Sequence, residues 1–348
     1  MNRREFLGAM AAPLAAAAAE SDTVASWARS FREEPPFSFV YGGRPSSALL
    51  WNWKSEVRTS ELDAARTRQE VTYTDPETGL AVRAIATIFK DFPAVEWVLY
   101  FKNTGAADTP ILQDIRTLDA PLRSPGGDPI VHYAKGAVCS MDDYMPLRRV
   151  LNAKGRLHVQ PGGGRSSSDY LPFFNVEMKG GDGVVIGIGW SGEWAATFTH
   201  EAGPEFRAQA GMALTHLRLY PGEEIRTPLV LTIFWQGGDR LRGHNLLRRF
   251  ILKHHRPSAG GQPVNMSMCN GNWGGTKAAD HLENIRQIVA HKFPLDYYWI
   301  DAEWFGKGPW PVNPGDWRLE LLSAAAQPNS GRLGADVYGA VTGAIQSA

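Results

Sequence analysis

The stretch Tyr297-Tyr298-Trp299-Ile300-Asp301-Ala302-Glu303-Trp304-Phe305-Gly306 begins with four apolar residues and ends in acids and aromatics, and Gly315-Asp316-Trp317 follows it. A buried parallel strand reads this way where it delivers polar groups into a pocket at its C-terminal end. Trp304, Trp310 and Trp317 suggest the contents of such a pocket. The apolar C–H face of a sugar packs on an indole, and carboxylates accept hydrogen bonds from its hydroxyls.

Working upstream, residues 264–269 read as a strand, with Asn270-Gly271-Asn272-Trp273-Gly274-Gly275 at its exit. Leu282, Ile285, Ile288 and Val289 then give the apolar stripe of a helix. Asp280 in its first turn and Lys292 beyond its last complement the helix dipole, and Phe293-Pro294 ends it. Residues 295–300 form the next strand. Strand, helix, strand implies a right-handed parallel unit, so Trp273 and Asp301 emerge at the same end of adjacent strands.

Before Asp239 the pattern is different. Val82-Arg83-Ala84-Ile85-Ala86-Thr87-Ile88 alternates, residues 95–103 form another strand, and Asp75-Pro76-Glu77-Thr78-Gly79 is turn chemistry. Residues 184–188 and 229–234 continue the series, and residues 161–168 form a Gly/Ser-rich loop. Many strands separated by Gly/Pro turns predict a large all-β sandwich from 36 to about 220–234. Gly187, Gly189 and Gly192 fit a dinucleotide-binding pattern, but the strand-like run from Glu193 to Thr199 follows where a helix is required. They therefore read as turn glycines. After Asp239, Leu241, Leu246, Leu247, Phe250 and Ile251 predict a helix running to about Lys253, followed by a turn-rich connector over 257–261.

Composition narrows the function classes. In 348 residues, 36 basic groups cancel 36 acidic ones, so nothing favours nucleic acid or an anionic membrane surface. Cys139 and Cys269 are too far apart in sequence for a metal spacing or a disulfide framework and read as two buried thiols. His254-His255 reads as a solvated helix end without metal-ligand spacing, and Asp142-Asp143-Tyr144 as a solvated loop. No metal and no cofactor is expected. Asn2-Arg3-Arg4-Glu5-Phe6-Leu7 precedes an alanine-rich run to Ala19. This twin-arginine order predicts an export signal over 1–20, a periplasmic or extracellular location, and no membrane association once the signal is removed.

Four further segments carry a family resemblance: Pro36-Phe37-Ser38-Phe39-Val40-Tyr41-Gly42-Gly43, Asp91-Phe92-Pro93-Ala94-Val95-Glu96-Trp97, Gly187-Ile188-Gly189-Trp190-Ser191-Gly192 and Pro221-Gly222-Glu223-Glu224. With the 301–306 and 315–317 segments, they resemble bacterial α-galactosidases of the melibiase family, over about residues 36–318. The resemblance implies a β-supersandwich over 30–238, a helical linker over 239–261 and the start of a (β/α)8 catalytic barrel over 262–318. It also implies a retaining glycoside hydrolase acting on α-linked glycosides. Its aspartate nucleophile and aspartate acid/base come from later barrel strands, which must hold the two carboxylates about 5 Å apart.

The family carries two consecutive aspartates after this strand; here Asp301 matches the first and Ala302 replaces the second, while Glu303 stands in place of a glycine. The substrate-binding candidates are Asp301, Glu303, Asp316, Trp273, Trp304 and Trp317. Asp301 serves either sugar contact or the cap of the next turn, and the tryptophans either stack on sugar or pack internally. No catalytic residue is expected in this chain. Residues 319–348 depart from the family, as a frameshift or truncation would make them do. The expected partner is a carbohydrate substrate, with homo-oligomers allowed. The alternative is a non-catalytic carbohydrate-binding sandwich.

Overall fold

A computed structural model describes residues 23–264, 268–270, 278–295 and 297–299. The chain forms two compact units, Met1–His255 and Arg256–Ala348. Among the described residues of the first unit, ten strands build one antiparallel sheet. Its order runs Pro146–Val150, Ile130–Ala134, Phe173–Met178, Asp182–Gly189, Leu229–Gln236, Ala94–Asn103, Leu80–Phe89, Arg66–Thr74 and Lys54–Glu61. Glu224–Arg226 pairs with Ala94–Asn103 just beyond the end of Leu229–Gln236. The break between these two short runs is chemical. Pro228 has no N–H for the ladder, and Thr227 bridges the gap: its N–H donates to Leu99 O, and its Oγ1 accepts from Leu99 N, each at 3.0 Å.

Two four-stranded sheets supply the second layer. One joins Gly155–Val159, Trp194–His200, Glu205–Met212 and Leu118–Arg123; the other joins His216–Leu217, Leu112–Arg116, Ser38–Tyr41 and Arg44–Pro45. Aromatic contacts tie the layers together. The rings of Phe174 and Phe198 lie 5.2 Å apart, those of Phe174 and Trp194 5.8 Å, and those of Phe39 and Phe101 5.2 Å. Buried polar tips find backbone acceptors: Trp97 Nε1 donates to Thr117 O at 2.7 Å and Trp194 Nε1 to Ser166 O at 2.8 Å. The expected sandwich is therefore present.

The strand signatures follow from which faces are covered. Leu80–Phe89 alternates because one face meets the core, burying Leu80, Val82, Ala84 and Ala86. Asp182–Gly189 and Leu229–Gln236 are apolar almost throughout because both of their faces are covered. The second cover is the helix Arg240–Phe250. Phe250 joins Phe89, Phe92, Ala94, Val185, Leu231, Ile233 and Trp235 in a small core on the outer side of the sheet. Asp239 caps this helix, accepting from Leu241 N at 2.9 Å.

The helix differs from expectation in three ways. It ends at Phe250 and turns through a π-helical turn, Ile251–His255. Leu241 is exposed, because at 100° per residue it lies opposite Phe250. The inward stripe is Gly243 and Phe250, buried, with Leu246 and Leu247 partly buried beside them, so the helix packs onto the sandwich.

In the second unit, Ser258–Ala259 and Gln262–Pro263 form a hairpin turned by Gly260 and Gly261 with φ of 58° and 76°. Positive φ at both central residues is the two-residue hairpin turn that glycine permits. Ala278–Ala290 is the expected helix, but its stripe is shifted: His281 and Ile285 are buried and Val289 is exposed. Lys292, at φ 52°, closes it; Lys292 N donates to Val289 O and Phe293 N to Ile288 O, each at 3.1 Å. Those two bonds make a Schellman cap with lysine in glycine's usual place.

Candidate functional site

The candidate site lies at the exit of a parallel strand pair in the second unit. Met268 pairs with Tyr297, Cys269 with Tyr298 and Asn270 with Trp299, and Ala278–Ala290 connects the two strands. Parallel pairing puts the two strand exits, after Asn270 and after Trp299, at the same end. That is the geometry from which βαβ folds build ligand sites. Trp273, Asp301, Glu303, Trp304, Asp316 and Trp317 follow these exits in sequence and lie outside the described residues.

A polar cluster that the sequence reading missed braces the second strand. His281 is 1% exposed, and its Nδ1 lies 2.8 Å from the Tyr298 hydroxyl. The two rings meet edge to face at 5.7 Å. Asn284 Nδ2 donates to the same hydroxyl at 3.5 Å. Burial pushes the His281 pKa down, favouring the neutral ring. A neutral Nδ1 accepts from the tyrosine, so the hydroxyl both donates and accepts, as a phenol can. The cluster ties helix to strand immediately before Asp301 in sequence. Its signal was available: His281 stands four residues before Ile285, on the same helical face.

Elsewhere, several sequence readings are revised. His254 is not solvated: its side chain is 8% exposed, its Nε2 lies 3.1 Å from Asp91 Oδ2, and the rings of Phe89 and Phe250 are 4.7 and 5.2 Å away. Lys253 Nζ lies 2.6 Å from the same carboxylate. His255 Nε2 lies 2.9 Å from Glu96 Oε2, and this bond raises its pKa. The two histidines thus pin the helix end to the outer face of the sheet. Cys139 is exposed rather than buried.

The loop holding Asp142, Asp143 and Tyr144 is on the surface, as expected, but it is ordered by its acids. Asp142 pairs with Lys135, and Asp143 accepts from Val138 N and Cys139 N at 3.0 and 3.1 Å. Gly187 and Gly189 lie in the strand Asp182–Gly189, and the strand Trp194–His200 follows, so no dinucleotide turn forms. Among the described residues there is no group of three or more His, Cys, Asp or Glu side chains able to hold a metal. None of their helices is long and apolar enough to cross a membrane.

No family model matches the chain, and no curated protein matches it in sequence. Solved structures match in fold. The α-galactosidase from Lactobacillus brevis superposes with a TM-score of 0.59 at 15% identity, over 78% of this chain and 38% of its own. The GH36 α-galactosidase AgaA from Geobacillus stearothermophilus gives 0.59 at 18% identity, over 83% and 44%. The galactosidase domain of the α-galactosidase–sucrose kinase AgaSK gives 0.61 at 17% identity, over 83% and 43%. The present chain thus shares its fold with part of the GH36 α-galactosidases and spans about two fifths of their length.

Proposed function

We propose that this chain is the N-terminal part of an exported, α-galactosidase-like retaining glycoside hydrolase, carrying the sandwich and the first βαβ unit of the catalytic barrel. The observation that carries this reading is the shared fold across about four fifths of the chain, with a parallel strand pair following the sandwich in sequence. A variant of AgaA has been solved with raffinose, which makes an α-linked galactoside the natural probe.

Asp301, Glu303 and Asp316 are assigned to sugar hydroxyls, and Trp273, Trp304 and Trp317 to stacking on the sugar. Asp301 and Glu303 stand two residues apart in sequence, shortly after the strand Tyr297–Trp299. They are poorly placed to flank opposite faces of a sugar ring, as nucleophile and acid must. The chain by itself should therefore bind a sugar without cleaving it.

The experiment is an aryl α-galactoside assay on the purified chain beside Asp301→Ala, with sugar binding measured in parallel. No turnover, with the variant losing the sugar site at the strand exit, is the expected result. Turnover well above that of the variant would refute the assignment of catalysis to later strands. Export is tested separately. Replacing Arg3 and Arg4 together by lysine should stop translocation of the folded protein, and continued export by that route would refute the signal.

A further inference from the structure

A cleft of about 840 Å3 opens in the first unit between residues 23–40, residues 45–51 and the outer face of a four-stranded sheet. The sheet register sets its floor. Asp119 pairs with Gln209, and Pro121 with Arg207. Strand alternation sends Ala120, Ala208 and Ala210 toward the core and turns Asp119, Arg207 and Gln209 the other way. The Asp119 side chain is only 6% exposed. Its Oδ2 accepts from Ser38 Oγ at 2.6 Å and its Oδ1 from Arg207 Nε at 2.5 Å. A buried carboxylate thus holds a half-exposed guanidinium in one orientation at the cleft. The two Nη groups of Arg207 and the side-chain amide of Gln209 have no hydrogen-bond partner among the described residues.

Trp51 lines the same cleft and is 79% exposed. It sits in a short 3-10 turn, Leu50–Asn52, whose neighbours Leu50 and Trp53 are buried. The indole is therefore presented to solvent on an anchored turn. A flat aromatic face, a fixed guanidinium and a free amide lining one cleft match a pyranose: C–H bonds against the ring, and hydroxyls toward the planar polar groups. Charge argues against an anionic ligand, since three arginines and four acids line the cleft. The volume falls within the range of about 300–1,000 Å3 common to small-molecule sites.

We propose that this cleft, built from residues of the first unit alone, is a second carbohydrate-binding site, which takes a neutral oligosaccharide with one ring stacked on Trp51 and hydroxyls held by Arg207 and Gln209. The test is calorimetric titration of the purified whole chain with raffinose, and with inorganic phosphate as the anionic control. Two saturable raffinose sites are expected: one about tenfold weaker in Trp51→Ala and in Gln209→Ala, and a second removed by Asp301→Ala, which leaves the first in place. Both cleft positions tolerate truncation without loss of a buried contact, and the far-ultraviolet circular dichroism and melting of each variant should match the parent. Binding of phosphate but not raffinose, no saturable binding, or raffinose affinity unmoved by Trp51→Ala would each overturn the proposal. Raffinose binding abolished by Asp301→Ala alone would place the sugar at the strand exit, sinking this proposal while supporting the proposed function. Binding sensitive to Trp51→Ala alone supports the cleft and leaves the strand exit without sugar.

Discussion

His200 shows how much a single side chain can store. It is 3% exposed, yet Nδ1 lies 2.7 Å from Leu151 O and Nε2 lies 2.8 Å from Gly203 O. Two carbonyls can only accept, so both ring nitrogens must donate, and the ring is an imidazolium. Asp128 Oδ1, 3.6 Å from Nδ1, supplies part of the counter-charge. The hydrogen bonds to Gly203 O and Leu151 O raise the pKa above the usual 6.5, outweighing burial.

A folded pKa above the unfolded one adds stability that is fully present below 6.5 and is lost as pH rises through the folded value. His200→Gln keeps only one donor-bearing nitrogen, and should cost about 1–3 kcal/mol at low pH by leaving a carbonyl without its partner. The gap between parent and variant in denaturation midpoint should be constant below about pH 6.5 and narrow as pH rises above it. A gap independent of pH would contradict the charged ring.

At the scale of elements, the docking of Arg240–Phe250 depends on two missing side chains. A Cβ on Gly183 would lie 2.1 Å from the Trp235 ring, and one on Gly243 would lie 2.7 Å from the same indole. The indole fills the space between strand and helix, and its Nε1 donates to Asn175 Oδ1 at 2.9 Å. Asn175 Nδ2 in turn donates to Arg240 O at 3.0 Å, at the first turn of the helix. Gly→Ala inside a helix normally stabilises by about 1 kcal/mol. Here overpacking against Trp235 costs about 1–3 kcal/mol, so Gly243→Ala should be net destabilising. Chemical denaturation measures this directly; a raised midpoint would mean that helix and sheet separate at little cost.

Across the whole molecule, the large sheet has two open edges, and both are blunted. Lys54–Glu61 is exposed at every position and carries Lys54, Glu56, Arg58 and Glu61. The opposite edge, Pro146–Val150, begins with proline and includes Arg148 and Arg149. Charges and proline on an edge oppose pairing with a second chain. Replacing Lys54 and Glu56 together by valine would leave Val57 flanked by an apolar edge of high β propensity. Light scattering should then show association that rises with concentration beyond that of the parent. A double variant that stays dispersed would mean that another feature protects this edge.

Sequence alone determined the local periodicities and their punctuation. The alternation from Leu80 to Phe89, the Asp75–Gly79 turn, the cap at Asp239 and the strand–helix–strand order after Val264 are all written within a few residues of where they act. Local pattern also excluded a dinucleotide turn here, because a strand follows, but Gly187 and Gly189, expected in a turn, lie within the strand Asp182–Gly189.

Tertiary structure decided whatever depends on a distant partner. Phe173–Met178 takes its place between Ile130–Ala134 and Asp182–Gly189, an order no local signal encodes. Leu241 faces solvent because Trp235, which precedes the helix and folds back beneath it, meets Gly243 instead. The His254 side chain is shielded because Phe89 and Asp91, at least 163 residues earlier, come to it. Asp119 orients Arg207 across a separation of 88 residues. Hydrogen bonds and side-chain packing act over a few ångströms in space, whatever their distance along the chain. The cleft, the buried imidazolium and the docked helix therefore exist only once the sheets have closed.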